Sequence, residues 1–121
     1  MKLEDTDYWK ALINMSLSRF FILRTLHEGA THGYALLETL RNFTQGCCTP
    51  AYGTIYPILK ELEDGQYANI KVVYEGGRQR KIYELTSKGE LAYQQAVNAW
   101  QEVLPIIEKA MQEFENKESD L

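Results

Sequence analysis

The stretch that most limits how this chain can fold is residues 67–86, a hairpin signature between segments that otherwise run at helical spacing. Tyr67, Ala68, Ile70, Val72, Val73 and Tyr74 read as one strand. Arg80 to Thr86 (RKIYELT) read as its return, with Ile82 alternating with Tyr83 and Leu85 near the end. Glu75-Gly76-Gly77-Arg78-Gln79 supplies the turn, because a Gly-Gly pair readily takes the positive φ angles of tight hairpin loops. The expected class is therefore mostly α with a small β-hairpin (α+β).

The segment before the hairpin, Thr49 to Gly65, reads as a short helix with two unlike faces. Ile55, Leu59 and Leu62 share one stripe and are expected to pack inward. Tyr52, Gly53, Tyr56 and Lys60 share the other and suit a polar, anionic partner. Thr49 is expected to cap the helix with Pro50 in its first turn, and Gly65 to end it in the left-handed conformation. Pro57 crowds the carbonyl of Gly53, so the helix either kinks there or begins near Thr54.

Further upstream, Asp5 or Asp7 can cap a helix carrying Trp9, Leu12, Ile13, Leu17, Phe20, Phe21, Leu23 and Leu26 and ending at Gly29. Ser16 and Ser18 are weak helix formers in its middle, so two helices with a bend between them are expected. Its first part, around Trp9, is apolar enough to require burial, which points to packing on another subunit. Thr31 then caps a second helix from Gly33 to Thr44, with Tyr34, Leu36, Leu37, Leu40 and Phe43 as its apolar set and Gly46 at its end. Two helices joined by a short glycine-bearing connector match a helix-turn-helix, whose second helix enters the major groove of DNA. A hairpin tip carrying Arg78, Arg80 and Lys81 completes a winged-helix pattern, and its cations suit phosphates more than base edges.

Thr86 or Ser87 caps a last helix reaching about Asn116. Tyr93, Val97, Trp100, Leu104, Ile107, Met111 and Phe114 recur at alternating steps of four and three, a heptad seam widened by Ala96, Val103, Ile106 and Ala110. That helix is too long and apolar for a compact winged domain alone. It is expected to pair with its own copy or with a partner's first helix, making Val97, Trp100, Leu104, Ile107, Met111 and Phe114 the dimer interface. Pro105 should bend or split it. The chain divides into a winged helix-turn-helix unit with its N-terminal helix, 1–86, and a dimerisation helix, 87–121.

The formal net charge is −4, which on its face disfavours nucleic acid. The distribution reverses this. Residues 88–121 carry three lysines and seven acids, whereas residues 14–87 carry eight basic and seven acidic groups. The acid sits at the ends and the middle is free to meet phosphates. No apolar run approaches the roughly 20 residues that span a bilayer. The acidic start, MKLEDTDYWK, lacks a signal-peptide core, so a cytoplasmic location without membrane attachment is expected. No catalytic motif, phosphate-cradling loop, metal motif or cofactor site is present, which argues against an enzyme.

With His32-Gly33-Tyr34, Gly53-Thr54-Ile55-Tyr56-Pro57 with Leu59 and Leu62, Gly76-Gly77-Arg78, Arg80-Lys81, Tyr83 to Thr86 and Gly89, the chain resembles the PadR-like transcriptional regulators over about residues 14–116. The resemblance implies a homodimeric winged-helix repressor of the small subfamily, bound to a partly palindromic operator of double-stranded DNA and released by an effector. It implies DNA contact by Tyr52, Gly53, Thr54, Tyr56, Lys60, Arg78, Arg80 and Lys81. Trp100 looks like the tryptophan that small members stack on planar ligands in a pore at the dimer interface. That gives Trp9, Tyr93, Val97 and Trp100 as candidates to hold a planar aromatic or cationic effector. Both tryptophans are also readable as core residues, Trp9 more so than Trp100. Pro105 and the adjacent Cys47 and Cys48 depart from the family pattern. The two thiols leave open a redox- or soft-metal-sensing regulator, and a protein-interaction module is the other alternative.

Overall fold

The computed structural model describes residues 2–46 and 52–120. Cys47, Cys48, the expected cap Thr49 and Pro50 lie outside the described residues, as does the side chain of Tyr52. Four helices surround a three-stranded antiparallel sheet: α1 (Thr6–Glu28), β1 (Thr31–His32), α2 (Gly33–Thr44), α3 (Tyr52–Asp64), β2 (Ala68–Glu75), β3 (Arg78–Leu85) and α4 (Ser87–Ser119). The sheet order is β1-β3-β2. This is a winged helix-turn-helix, as the hairpin and its flanking helices foretell.

Asp5 caps α1, its carboxylate accepting from the Asp7 N–H at 2.9 Å. The chain does not divide into two helices here: α1 is one helix of 23 residues. Its serines turn their hydroxyls back onto the helix: Ser16 donates to the Ile13 carbonyl at 2.8 Å and Ser18 to that of Asn14 at 2.7 Å. Each competes weakly with the ladder without breaking it.

The cap of α2 is His32 and not Thr31. The His32 ring accepts from the Ala35 N–H at 3.3 Å, while Thr31 joins β1 and pairs with Tyr83 of β3. Both α2 and α3 end in the same six-residue closure. Gly46 N–H donates to the Arg41 carbonyl at 3.0 Å, and Tyr67 N–H to the Leu62 carbonyl at 2.8 Å. The left-handed residue closing α3 is Gln66, with φ of 63°, and not Gly65. Gly65 answers a different need, since a Cβ there would meet the Tyr67 ring at 2.6 Å. Pro57 lies inside α3, which is already helical at Tyr52, so the helix does not begin at Thr54.

Ile22 and Leu26 of α1, Leu36 and Leu40 of α2, Ile55, Ile58, Leu59 and Leu62 of α3, Ala68 of β2 and Tyr83 of β3 form one core. Burying each aliphatic side chain here contributes about 1.5–3 kcal/mol. The apolar set expected for α2 is corrected at two positions. Tyr34 and Phe43 are exposed, and the Phe43 ring is covered on one face by the Arg24 guanidinium, 3.5 Å from its centroid.

The β2–β3 hairpin turns on Gly76 and Gly77, both at positive φ, which matches a two-residue turn of the twist that strands favour. Thr86 caps α4 through the Gly89 N–H at 3.1 Å. Helix α4 runs as one element through Pro105, so the expected split does not occur. Its first half lies on α1; from Gln101 to Asp120 every residue is exposed. No helix among the described residues is long and apolar enough to cross a membrane.

Candidate nucleic-acid interface

Between the wing and the first turns of α2 and α3 lies a cleft of about 440 Å³. Its walls are His32, Gly33 and Tyr34 from the start of α2, Tyr56 from α3, and Arg78, Gln79, Arg80, Lys81 and Tyr83 from β3. It gathers three cations of the wing beside one residue of the expected recognition helix, and no carboxylate lines it among the described residues.

Each wall has a local cause. Because β3 starts at Arg78, strand alternation puts Arg78 and Arg80 on one face and Lys81, with the buried Tyr83, on the other. Arg78 and Lys81 are exposed, while Arg80 is half-buried. The Arg80 Nη1 lies 2.9 Å from His32 Nε2, and its Nε is buried without a hydrogen-bond partner. The nearest carboxylate, Glu75, stands 3.8 Å from that Nε. Tyr56 seats its ring on α2, where a Cβ on Gly33 would come within 2.9 Å of the phenol oxygen. Gly33 therefore lets α3 approach the first turn of α2 at this point. Burial raises the Tyr83 phenol above its ordinary value, and the charge of Glu63 adds to that.

The remaining described candidates on α3 are not among the residues that line the cleft. Gly53 and Thr54 are exposed in the first turn, and an added Cβ at Gly53 would meet nothing within 4 Å. Lys60 is exposed and reaches Asp64 at 3.4 Å. The other side of α3 is held to α1 by a two-point pairing of the Arg19 guanidinium with Glu61, at 2.9 and 2.7 Å. That contact lowers the Glu61 carboxyl and raises Arg19.

Of the residues expected to hold an effector, Tyr93, Val97 and Trp100 are half-buried on α4. Phe20 of α1 joins two of them, with ring centroids 5.8 Å from Tyr93 and 6.1 Å from Trp100. His27 lies against Tyr93 at 5.0 Å and pairs with Glu90 at 2.5 Å, linking the end of α1 to the first turn of α4. Trp9 stands apart from this cluster: its ring is edge-on to Tyr8 and its indole N–H donates to the Leu3 carbonyl. Leu104, Ile107, Met111 and Phe114 of the expected seam are exposed. No group of three His, Cys, Asp or Glu that would hold a metal occurs among the described residues. Neither His32 nor Phe20 was among the expected site residues; His32 entered only as part of the His32-Gly33-Tyr34 motif at a helix start.

The chain is 39% identical over 71 residues to Transcriptional regulator YqjI of Escherichia coli (strain K12), which covers 59% of this chain and 33% of that protein. It thus spans only a third of the length of that relative. Uncharacterized protein X of Lysinibacillus sphaericus is 31% identical over 96 residues, 78% of this chain and 87% of that one. Among solved structures, a transcriptional regulator from Clostridium thermocellum superposes with a TM-score of 0.74 at 25% identity, covering 80% of this chain and 95% of that one. Bacillus subtilis PadR in complex with operator DNA shares the fold, with a TM-score of 0.63 at 24% identity over 69% of this chain and 48% of that one. The profile of the Transcriptional regulator PadR-like family matches residues 22–95, more than half of the chain, and the chain belongs to that family.

Proposed function

We propose that this protein is a DNA-binding transcriptional repressor that acts as a homodimer in the cytoplasm. One observation carries the reading: the wing's Arg78, Arg80 and Lys81 share one cleft with His32, Gly33 and Tyr34 at the start of α2 and with Tyr56 of α3, and no carboxylate lines it among the described residues. Helix α3, through Tyr52, Gly53, Thr54, Tyr56 and Lys60, enters the major groove of a half-site. The wing cations hold flanking phosphates, which strengthens binding to every sequence and fixes register. The shared fold with a PadR protein solved on its operator supports this arrangement.

Dimerisation is supported by two exposed apolar strips. Trp9, Leu12, Ile13 and Met15 on α1, and Leu104, Ile107, Met111 and Phe114 on α4, lie open in a single protomer. Surfaces of this kind mark protein contacts. Residues 87–121 serve as the dimerisation helix and residues 1–86 as the reading unit. Pairing through α4 sets the two recognition helices about one helical turn of DNA apart, matching a partly palindromic site. The Phe20, Tyr93 and Trp100 cluster lies at the root of that helix. A planar aromatic or cationic effector stacked there, beside Val97, shifts the spacing and releases DNA.

Selection from a random duplex library, with the bound pool sequenced, tests the reading. A two-fold-related motif is the expected result, and release by planar aromatic compounds with quenching of Trp100 would locate the effector. Recovery of no enriched sequence, together with no retardation of any duplex at low salt, would overturn it in favour of a protein-interaction module.

A further inference from the structure

We propose that Val72 and Tyr74 form an apolar ridge on the wing that seats in the minor groove of DNA beside the half-site, and that Tyr74 disfavours G·C pairs there. This rests on the DNA-binding reading above.

Strand alternation puts Ala68, Ile70, Val72 and Tyr74 on one face of β2. Their partners across the hairpin are Leu85, Tyr83, Lys81 and Gln79 of β3, and directly opposed residues share a face. Burial falls along this row. Ala68 is in the core and Ile70 packs against it, whereas Val72 is 44% exposed and Tyr74 77%, the highest value of any large hydrophobic side chain among the described residues. The apolar row therefore leaves the core and runs out along the wing, where folding gains little from it. Adjoining exposed apolar side chains with a polar rim mark a contact surface.

The rim says what that contact is. Lys81 stands opposite Val72 and Gln79 opposite Tyr74, and both line the cleft that Tyr56 of α3 also lines. This face of the hairpin carries no acidic residue. Glu75, nearest the turn, falls on the other face, opposite Arg78 and 3.8 Å from Arg80. The ridge is thus continuous with the cationic wall of the proposed interface, which suits a polyanion and disfavours a second copy of the same face. With α3 in the major groove, the wing beside it crosses a phosphate strand and meets the adjacent minor groove. That groove is about 6 Å wide, too narrow for two strands about 4.8 Å apart with their side chains but open to a single row of them. Its walls are sugar faces, and apolar side chains are the kind that enter it. Its floor is smooth at A·T pairs, whereas each G·C pair raises the N2 amino group of guanine into it. A ring pressed toward that floor is accommodated by A·T and obstructed by G·C.

The test is fluorescence anisotropy with two labelled duplexes about three helical turns long, one G·C-rich and the other the same sequence with inosine in place of guanine. Inosine keeps the major-groove edge of guanine and lacks its N2 amino group, so α3 meets the same edges in both and only the minor groove differs. The wild type should bind the inosine duplex at least about fivefold more tightly, the lower end of the worth of one discriminated base pair. Tyr74→Ala, which changes no charge, should bind the two duplexes equally and keep the salt dependence of the wild type. The ratio of two affinities does not depend on the fraction of protein that is folded, so partial unfolding of the variant cannot mimic this result. A wild-type ratio of one, or the same ratio in the wild type and in Tyr74→Ala, would overturn the proposal while leaving DNA binding standing. A Tyr74→Ala protein that sediments as a smaller species, with its ratio unchanged, would also overturn it, by giving the ridge to a second copy of the chain. Failure of the wild type to bind either duplex would overturn the DNA reading and this proposal with it.

Discussion

Replacing Gly89 with alanine sets two effects of opposite sign against each other. Alanine is favoured over glycine inside a helix by about 1 kcal/mol, and Gly89 lies in the first turn of α4. Against this, the added Cβ would stand 2.1 Å from the Tyr67 carbonyl oxygen and 2.9 Å from a Leu85 methyl. The carbonyl belongs to the backbone and already accepts the Thr86 N–H at 3.0 Å, so it cannot turn aside. Relief requires the start of α4 to lift from the end of α3 and β2. That strains the bond from the Thr86 hydroxyl to the Gln66 carbonyl at 2.7 Å and the one from Lys88 to the Gly65 carbonyl at 2.8 Å. Overpacking costs about 1–3 kcal/mol, and two weakened hydrogen bonds add about 1 kcal/mol each. After the helix-propensity gain, the net loss is about 2–4 kcal/mol, a fall in Tm on the order of 10 °C. Thermal melts at fixed protein concentration measure it, since self-association also moves the midpoint. Gly53→Ala, with open space around it, should melt no lower than the wild type. A Gly89→Ala protein that melts at or above the wild type would refute the clash and the docking of α4 that depends on it.

Tyr83 makes stability fall at alkaline pH. Its raised phenol keeps its proton where the unfolded chain has lost it, so this contribution is complete below the ordinary value of 10.0 and is lost as pH rises through the folded one. Denaturant melts from about pH 9 to about pH 11 should show a shallower decline in Tyr83→Phe; parallel declines would exclude Tyr83 as the cause. Ile107→Glu puts a charge into the exposed seam of α4 without touching the protomer core, and should convert a dimer to a monomer in sedimentation. Unchanged sedimentation of that variant would remove the α4 seam from the interface.

The elements legible in the sequence are those fixed by local periodicity or by a residue with one conformational use. Gly33 to Thr44 could be read from the spacing of its leucines, and the wing from Gly76-Gly77 between alternating strands. What escaped depends on contacts far along the chain. β1 is two residues long and exists because Thr31 and His32 pair with Tyr83 and Ile82. The same pairing moves the cap of α2 from Thr31 to His32. Gly65 resembles a left-handed terminator, yet the Tyr67 ring claims the space beside it and Gln66 takes the turn. Ser16 and Ser18 weaken a helix by propensity, but burial of Ile22, Leu23 and Leu26 further along the same face keeps α1 whole.

The candidate site divides in the same way. Arg78, Arg80, Lys81 and Tyr56 are found from charge, turn chemistry and helix face, and they meet around one cleft. Trp100 and Tyr93 stood out in the sequence by their heptad spacing, whereas Phe20, which packs against both, looked like one more apolar residue of α1. The contact of His32 with Arg80, 48 residues away, is visible only in the fold.

The salt dependence of DNA affinity tests the central claim most directly. Each wing cation that displaces a counterion from a phosphate adds close to one unit to the slope of log Kd against log salt. The Arg78→Ala, Lys81→Ala double variant should bind more weakly to every duplex and lose about two units of that slope relative to the wild type. Identical slopes for the two proteins would contradict a wing that grips the DNA backbone.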